Sequence, residues 1–302
     1  MDEYMTRAYL KYLGSLLLFG SNGIVAACIA MPSSSIVFWR TLIGSALLIT
    51  IFIGMRQKFT ALSSMRDFAC MMASGVSTGL SWIFLYEAYR LAGVAASSLI
   101  YYLGPILVMA LSPVLFHEPL TARKLACFGV VLVGAVLLNG EAPWANGDIW
   151  GLVCAAASAV CHAFMVVFNK LASRVQGLQN PTMQLVVSFA TVAVFIWLAP
   201  GQTVQLPGAD WPATLFLGLV NTGAGCYLYF SSIGALRAQT VVVLGYVEPL
   251  SAVVLAVLLL GESMSFLQIS GAILVLGGAL VAELSNARGK QFRMRDFYHS
   301  HE

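Results

Sequence analysis

The sequence predicts an all-α, polytopic membrane protein of ten transmembrane helices, built as a 5+5 inverted repeat. Three observations carry that prediction. Hydrophobic residues make up 59% of the chain and charged residues only 10%, with a mean hydropathy of +0.85, whereas soluble domains carry about 25% charged residues. One stretch recurs without a gap, Tyr102–Ala135 matching Tyr246–Ala279 at a fixed offset. Lysines and arginines also sort to alternate loops once ten spans are drawn.

Apolar runs of about 20 residues suffice to cross the hydrocarbon core. They fall at 9–30, 34–54, 67–89, 95–116 and 122–140, then at 148–171, 181–199, 210–233, 239–260 and 265–283. The polar turn Glu141–Gly147 separates the sets. Residues 1–140 and 148–283 are therefore expected to be two five-helix repeats, and 284–302 a basic cytoplasmic tail. With the N-terminus placed inside, fourteen of the sixteen Lys and Arg lie on the cytoplasmic side. Arg90 is then outside, Arg40 lies within the second span, and both termini are cytoplasmic.

Within the repeat, Tyr102 meets Tyr246, Pro105 meets Pro249 and Glu118 meets Glu262, while Thr78–Gly79 meet Thr222–Gly223 further back. Five spans per half is an odd number, so the copies must cross in opposite senses. Glu118 then lies on the cytoplasmic side and Glu262 on the outer side. Such inverted repeats place a binding site near the bilayer midplane, open to each side in turn.

Val25–Cys28 reads like a lipoprotein cleavage box, but Asp2 and Glu3 spoil the basic leader that such a box requires, so an uncleaved first span is expected. The six cysteines lie in apolar segments without a Cys-x-x-Cys pair and read as small core residues. The net charge of +3 is scattered over short loops, which excludes a nucleic-acid footprint. No phosphate loop, metal cluster or nucleophile constellation appears, so no catalytic residue, metal or cofactor is expected. The expected partners are the lipid bilayer and a small-molecule substrate. Gly271 and Gly278 on the tenth span, with Cys127 and Gly134 on the fifth, form small faces that suit close helix packing or a homodimer contact.

Several motifs in this order resemble the EamA type of the drug/metabolite transporter superfamily. They are Gly20-Ser21-Asn22, Phe38-Trp39-Arg40, Tyr101-Tyr102-Leu103-Gly104-Pro105 and Glu118-Pro119-Leu120, echoed by Val247-Glu248-Pro249 and Gly261-Glu262-Ser263. The resemblance covers roughly residues 9–283. It implies a ten-helix basket in a bacterial cytoplasmic membrane, with spans one to four and six to nine around a central cavity. It also implies export of amino acids, other metabolites or drug-like cations.

Two charges stand out for substrate binding. Arg40 lies inside a span, where a charge costs at least about 2.5 kcal/mol and normally faces the protein interior. It reads as an anchor for a carboxylate or as a gating partner, against a structural reading in which it snorkels to the membrane surface. Glu248 precedes Pro249 at mid-membrane, while its repeat mate is Gly104. The fold needs the proline twice and the carboxylate once, which favours a role with a substrate amine or proton over a structural hydrogen bond. Trp39, Trp82, Tyr102, Tyr246 and Asn22 complete the expected cavity lining. Trp82, Tyr86 and Tyr89 share one helix face, although Tyr86 and Tyr89 also suit the interfacial aromatic belt. His162 reads as a packing residue or a proton relay. Glu118, Glu262, Pro105 and Pro249 read as structural or gating elements, the glutamates as caps of the following helices.

The leading expectation is a secondary transporter, not an enzyme, exporting small amphipathic metabolites, with amino acids first. Organic cations or sugar-type metabolites are the alternatives within transport. An intramembrane lipid-modifying enzyme would need a catalytic cluster that the isolated His162 does not supply.

Overall fold

Among the described residues, six helical stretches are long and apolar enough to cross a bilayer, and shorter apolar helices lie between and after them. The computed structural model describes residues 3–57, 64–117, 120–138, 148–172, 174–199, 202–260, 265–278 and 280–281. Among these every regular element is a helix. The first half holds α1 (Glu3–Gly20), α2 (Asn22–Ala27), α3 (Ser33–Gly54), α4 (Met65–Ala92), α5 (Val94–Tyr101), α6 (Leu103–Phe116) and α7 (Ala122–Leu138). The second holds α8 (Ile149–Leu171), α9 (Gln179–Leu198), α10 (Trp211–Phe216), a π-helical segment (Leu217–Ala224), α11 (Gly225–Ile233), α12 (Ala238–Gly245), α13 (Val247–Leu260) and α14 (Phe266–Gly278). Glu118, Glu262 and the tail 284–302 lie outside the described residues.

Local chemistry sets the ends. The Ser64 hydroxyl accepts the Asp67 amide at 3.3 Å at the start of α4, and Asp148 accepts the Trp150 amide at 2.9 Å at the start of α8. Gly93 at φ +80° closes α4, a conformation that suits glycine.

Three expected continuous spans are broken. The first breaks at Ser21, whose hydroxyl donates to the Leu18 carbonyl at 2.7 Å and competes with the helix ladder. The fourth and ninth break at Tyr102 and Tyr246, with nearly the same backbone angles (φ −70°, ψ −1° and φ −72°, ψ −3°). The segments on either side are 8 and 14 residues long in both copies. Pro105 and Pro249 lie just beyond these joints, in the first turn of α6 and α13, where a missing amide costs no intrahelical bond. In the eighth span the Thr222 hydroxyl donates to the Leu217 carbonyl, five residues back, at 2.8 Å within the π turn.

The helix α4 packs most extensively on α8, and next on α9, while α1 packs on α11 and α13. Lipid and side chains are equally apolar, so polar side chains and small residues must provide helix adhesion. Ser81 and Ser158 donate to each other's carbonyls across α4 and α8, at 3.0 and 2.8 Å. The Asn169 and Asn180 amides pair reciprocally at 2.9 and 3.2 Å. A Cβ on Gly20 would lie 1.9 Å from the Ser251 hydroxyl, so α1 and α13 cross almost backbone to backbone. The small faces of α7 and α14 meet each other within the chain: a Cβ on Gly134 would lie 2.8 Å from the Gly271 carbonyl, and one on Gly278 would lie 2.7 Å from Val131.

Candidate functional site

Two polar clusters inside the helix bundle hold the charges singled out in the sequence, Arg40 and Glu248. The first surrounds Arg40 on α3, which is 1% exposed. Its Nε donates to the Thr222 hydroxyl at 3.0 Å, and its Nη1 donates to the Tyr86 hydroxyl. The guanidinium lies over the Trp82 ring at 4.6 Å and the Tyr86 ring at 5.3 Å. Thr222 can accept from Arg40 because the π turn takes up its own proton. All these partners are neutral. Among the described residues the ion pairs are Arg7–Glu3, Arg90–Glu87 and Arg174–Asp67, and none neutralises Arg40.

The second cluster is a cavity lined by Glu248, Tyr12, Tyr101, Tyr102, His162, Tyr229 and Tyr246 among others. Glu248 stands in the first turn of α13, where the helix dipole favours a carboxylate. Among the described residues none forms a hydrogen bond or ion pair with that carboxylate. Some of the surrounding hydroxyls are engaged elsewhere: Tyr12 donates to the Val241 carbonyl at 2.7 Å and Tyr246 to the Tyr102 carbonyl at 2.9 Å. The Tyr101 hydroxyl and His162 Nδ1 share a 2.6 Å hydrogen bond. The cavity holds about 30 Å³, room for one or two waters. Small-molecule pockets begin near 300 Å³, so the cavity as it stands is too small for a metabolite.

The structure thus brings Tyr102, Tyr246 and Glu248 to one cavity, and joins Arg40 to Trp82 in the other cluster, outside that cavity's lining. Asn22 instead sits in a polar knot at the α1–α2 break, where the Asn221 amide donates to Asn22 Oδ1 at 3.0 Å and to the Ser21 hydroxyl at 2.8 Å. Trp39 is absent from the cavity lining. Its Nε1 donates to the Gln205 carbonyl at 2.8 Å, and its ring meets Trp211 at 5.2 Å. Ser35 accepts the Gln205 amide at 3.0 Å, and Asp210 accepts the Ala30 amide at 2.8 Å. The loop 202–210 is therefore laced to the start of α3. Trp39→Phe should keep the ring contact and lose the hydrogen bond, speeding amide exchange at residues 203–205 about fivefold. Unchanged exchange would show that Trp39 does not hold the loop.

Sequence reasoning assigned Tyr86 to the interfacial belt as readily as to the interior, and passed over Tyr12. The charge of Arg40 was the available signal for Tyr86, because a buried guanidinium requires acceptors within reach.

Comparison with other proteins agrees with this architecture. A crystal structure with a TM-score of 0.77 at 24% identity covers 92% of this chain and 97% of its own, which shows a shared fold. The chain is similar to the Bacillus subtilis protein named uncharacterized transporter YxxF, at 24% identity over 300 residues, 96% of this chain and 93% of that one. It is also similar to the aromatic amino acid exporter YddG of Ancylobacter novellus, at 29% identity over 214 residues, 67% of this chain and 71% of the relative. The pseudopaline exporter CntI of Pseudomonas aeruginosa matches at 22% over 225 residues, 73% of this chain and 76% of the relative. The profile of the EamA-like transporter family matches twice, at residues 6–140 and 149–284. The chain is a multi-pass membrane transporter and belongs to the EamA-like transporter family.

Proposed function

We propose that the protein exports small amphipathic metabolites, amino acids foremost, from the bacterial cytoplasm by alternating access through a ten-span, 5+5 inverted repeat. The carrying observation is the pair of oppositely charged side chains inside the bundle, buried Arg40 and partly buried Glu248, the latter lining an aromatic cavity, with no ionic partner for either among the described residues. A zwitterion can neutralise both, its carboxylate at Arg40 and its amine at Glu248. Arg40 counts against a purely cationic cargo, for which a second buried cation would be repulsive. The names of YddG and CntI, both exporters, point the same way.

Packing supports the repeat. The contact of α4 with α8 has its counterpart in α11 with α1, and that of α6 with α8 in α13 with α1. The distribution of Lys and Arg supports cytoplasmic termini.

The test is transport by the purified chain in liposomes loaded with labelled amino acids. Arg40→Gln should raise the half-saturation concentration about thirtyfold for carboxylate-bearing substrates and spare their amides. Glu248→Gln should most affect substrates with a free amine. Two folded variants that transport the same substrates as the parent would sink the zwitterion assignment.

A further inference from the structure

A second cavity lies apart from the site, between α4 and α9. It is a groove of about 750 Å³. Phe68, Met72, Val76 and Leu80, four residues apart on α4, line it opposite Val186, Ala190 and Val194 on α9. Met72, Val76, Val186 and Val194 are exposed, so the groove opens toward the bilayer. The stretch from Phe68 to Leu80 spans about 18 Å at the helical rise, close to the ~15 Å depth of one leaflet's hydrocarbon. Its floor is closed. Ser188 on α9 donates to the Gly75 carbonyl on α4 at 3.0 Å, so a chain in the groove does not pass into the central cavity.

Charged residues adjoin one end of the groove, outside its apolar lining. Phe68 follows Asp67, and the Arg174 guanidinium lies 3.8 Å from the buried Asp67 carboxylate. Arg174 is 76% exposed, so the contact orients the guanidinium and leaves other N–H groups free for water or a ligand. Arg66, next in sequence, is also exposed. An arginine fork is suited to phosphate oxygens.

We propose that this groove is a phospholipid site, with an acyl chain along α4 and α9 and the phosphate at Arg174. The occupant must be amphipathic, apolar for the length of one leaflet and anionic at one end, and an anionic phospholipid has that form. A second copy of the chain does not fit as well, because a concave groove cannot fill its own symmetric mate. In the proposed 5+5 arrangement α4 and α9 belong to different halves, so the lipid would bridge the seam between them. The site itself does not depend on which solute the transporter carries.

Native mass spectrometry of the purified full chain tests the site, after incubation with palmitoyl-oleoyl phosphatidylglycerol or the corresponding phosphatidylcholine. The unaltered chain should retain phosphatidylglycerol preferentially. Arg174→Gln should lower that retention about fivefold and leave phosphatidylcholine nearly unchanged. Ala190→Trp fills the groove from an exposed position and should remove both adducts. Val76→Trp repeats the test from the other wall should the first variant misfold. Undiminished lipid retention in a folded groove-filled variant would overturn the proposal. So would a dimer that the tryptophan disrupts, which would assign the groove to a second copy. Unchanged phosphatidylglycerol binding by Arg174→Gln would remove the phosphate contact and reject the anionic assignment.

Discussion

Gly20→Val is expected to cost about 3 kcal/mol or more, enough to deplete the folded protein. Even a methyl group at residue 20 meets the Ser251 hydroxyl at 1.9 Å and the Ala252 backbone nitrogen at 2.7 Å. A side chain can swing away, but the backbone of α13 cannot retreat without opening its contact with α1. Gly20→Ala should therefore lower the thermal midpoint less than Gly20→Val. Adding Ser251→Gly should restore only part of the loss, because the Ala252 nitrogen stays in place. A Gly20→Val protein that melts like the parent would mean that the two helices separate freely at this crossing.

Lys170→Met is expected to release the end of the bundle where α6, α8 and α11 converge. The Lys170 ammonium donates to the Ile233 carbonyl at 3.2 Å and to the Leu236 carbonyl, at and beyond the end of α11. It also lies 5.7 Å from the Phe116 ring at the end of α6. Hydrogen bonds from charged donors contribute about 1.5–3 kcal/mol each, and a cation also suits the negative end of a helix. Methionine keeps the stem and removes the charge. Val166, one turn earlier on α8, lines the cavity and is 2% exposed. In a cysteine-free background, Val166→Cys should react with a membrane-impermeant maleimide at least about tenfold faster once Lys170 is replaced. Equal labelling would show that the lysine closes nothing.

The pairing of Tyr102 with Tyr246 was legible in the sequence, because the repeat keeps tyrosine and proline in register without a gap; the helix breaks at these residues were not, and both spans read as continuous. Arg40 and Glu248 were legible because a charge in an apolar run needs an explanation of its own. Their partners were not. Which side chains meet across helices depends on how each helix is rotated, and a helix apolar on all sides carries little periodic signal to fix that rotation. Tyr86 is 46 residues from Arg40, and His162 is 61 residues from Tyr101. Thr222 was visible as a repeat match, but its role as an acceptor depends on the π turn. Trp39 was misleading for a related reason: its neighbour Arg40 turns into the bundle, while Trp39 itself is held by the loop 202–210.

The bond from the Tyr246 hydroxyl to the Tyr102 carbonyl joins the two broken helices at equivalent positions. Equivalent positions offer two such bonds, and the structure contains one of them: Tyr246 donates and Tyr102 accepts. An inverted repeat that exchanges the conformations of its halves would exchange these roles as well, with Tyr102 donating to Tyr246. The joint would then act as a toggle with two mirror settings, and the difference between the halves, such as glutamate at 248 against glycine at 104, would determine which setting is lower in energy when the site is empty.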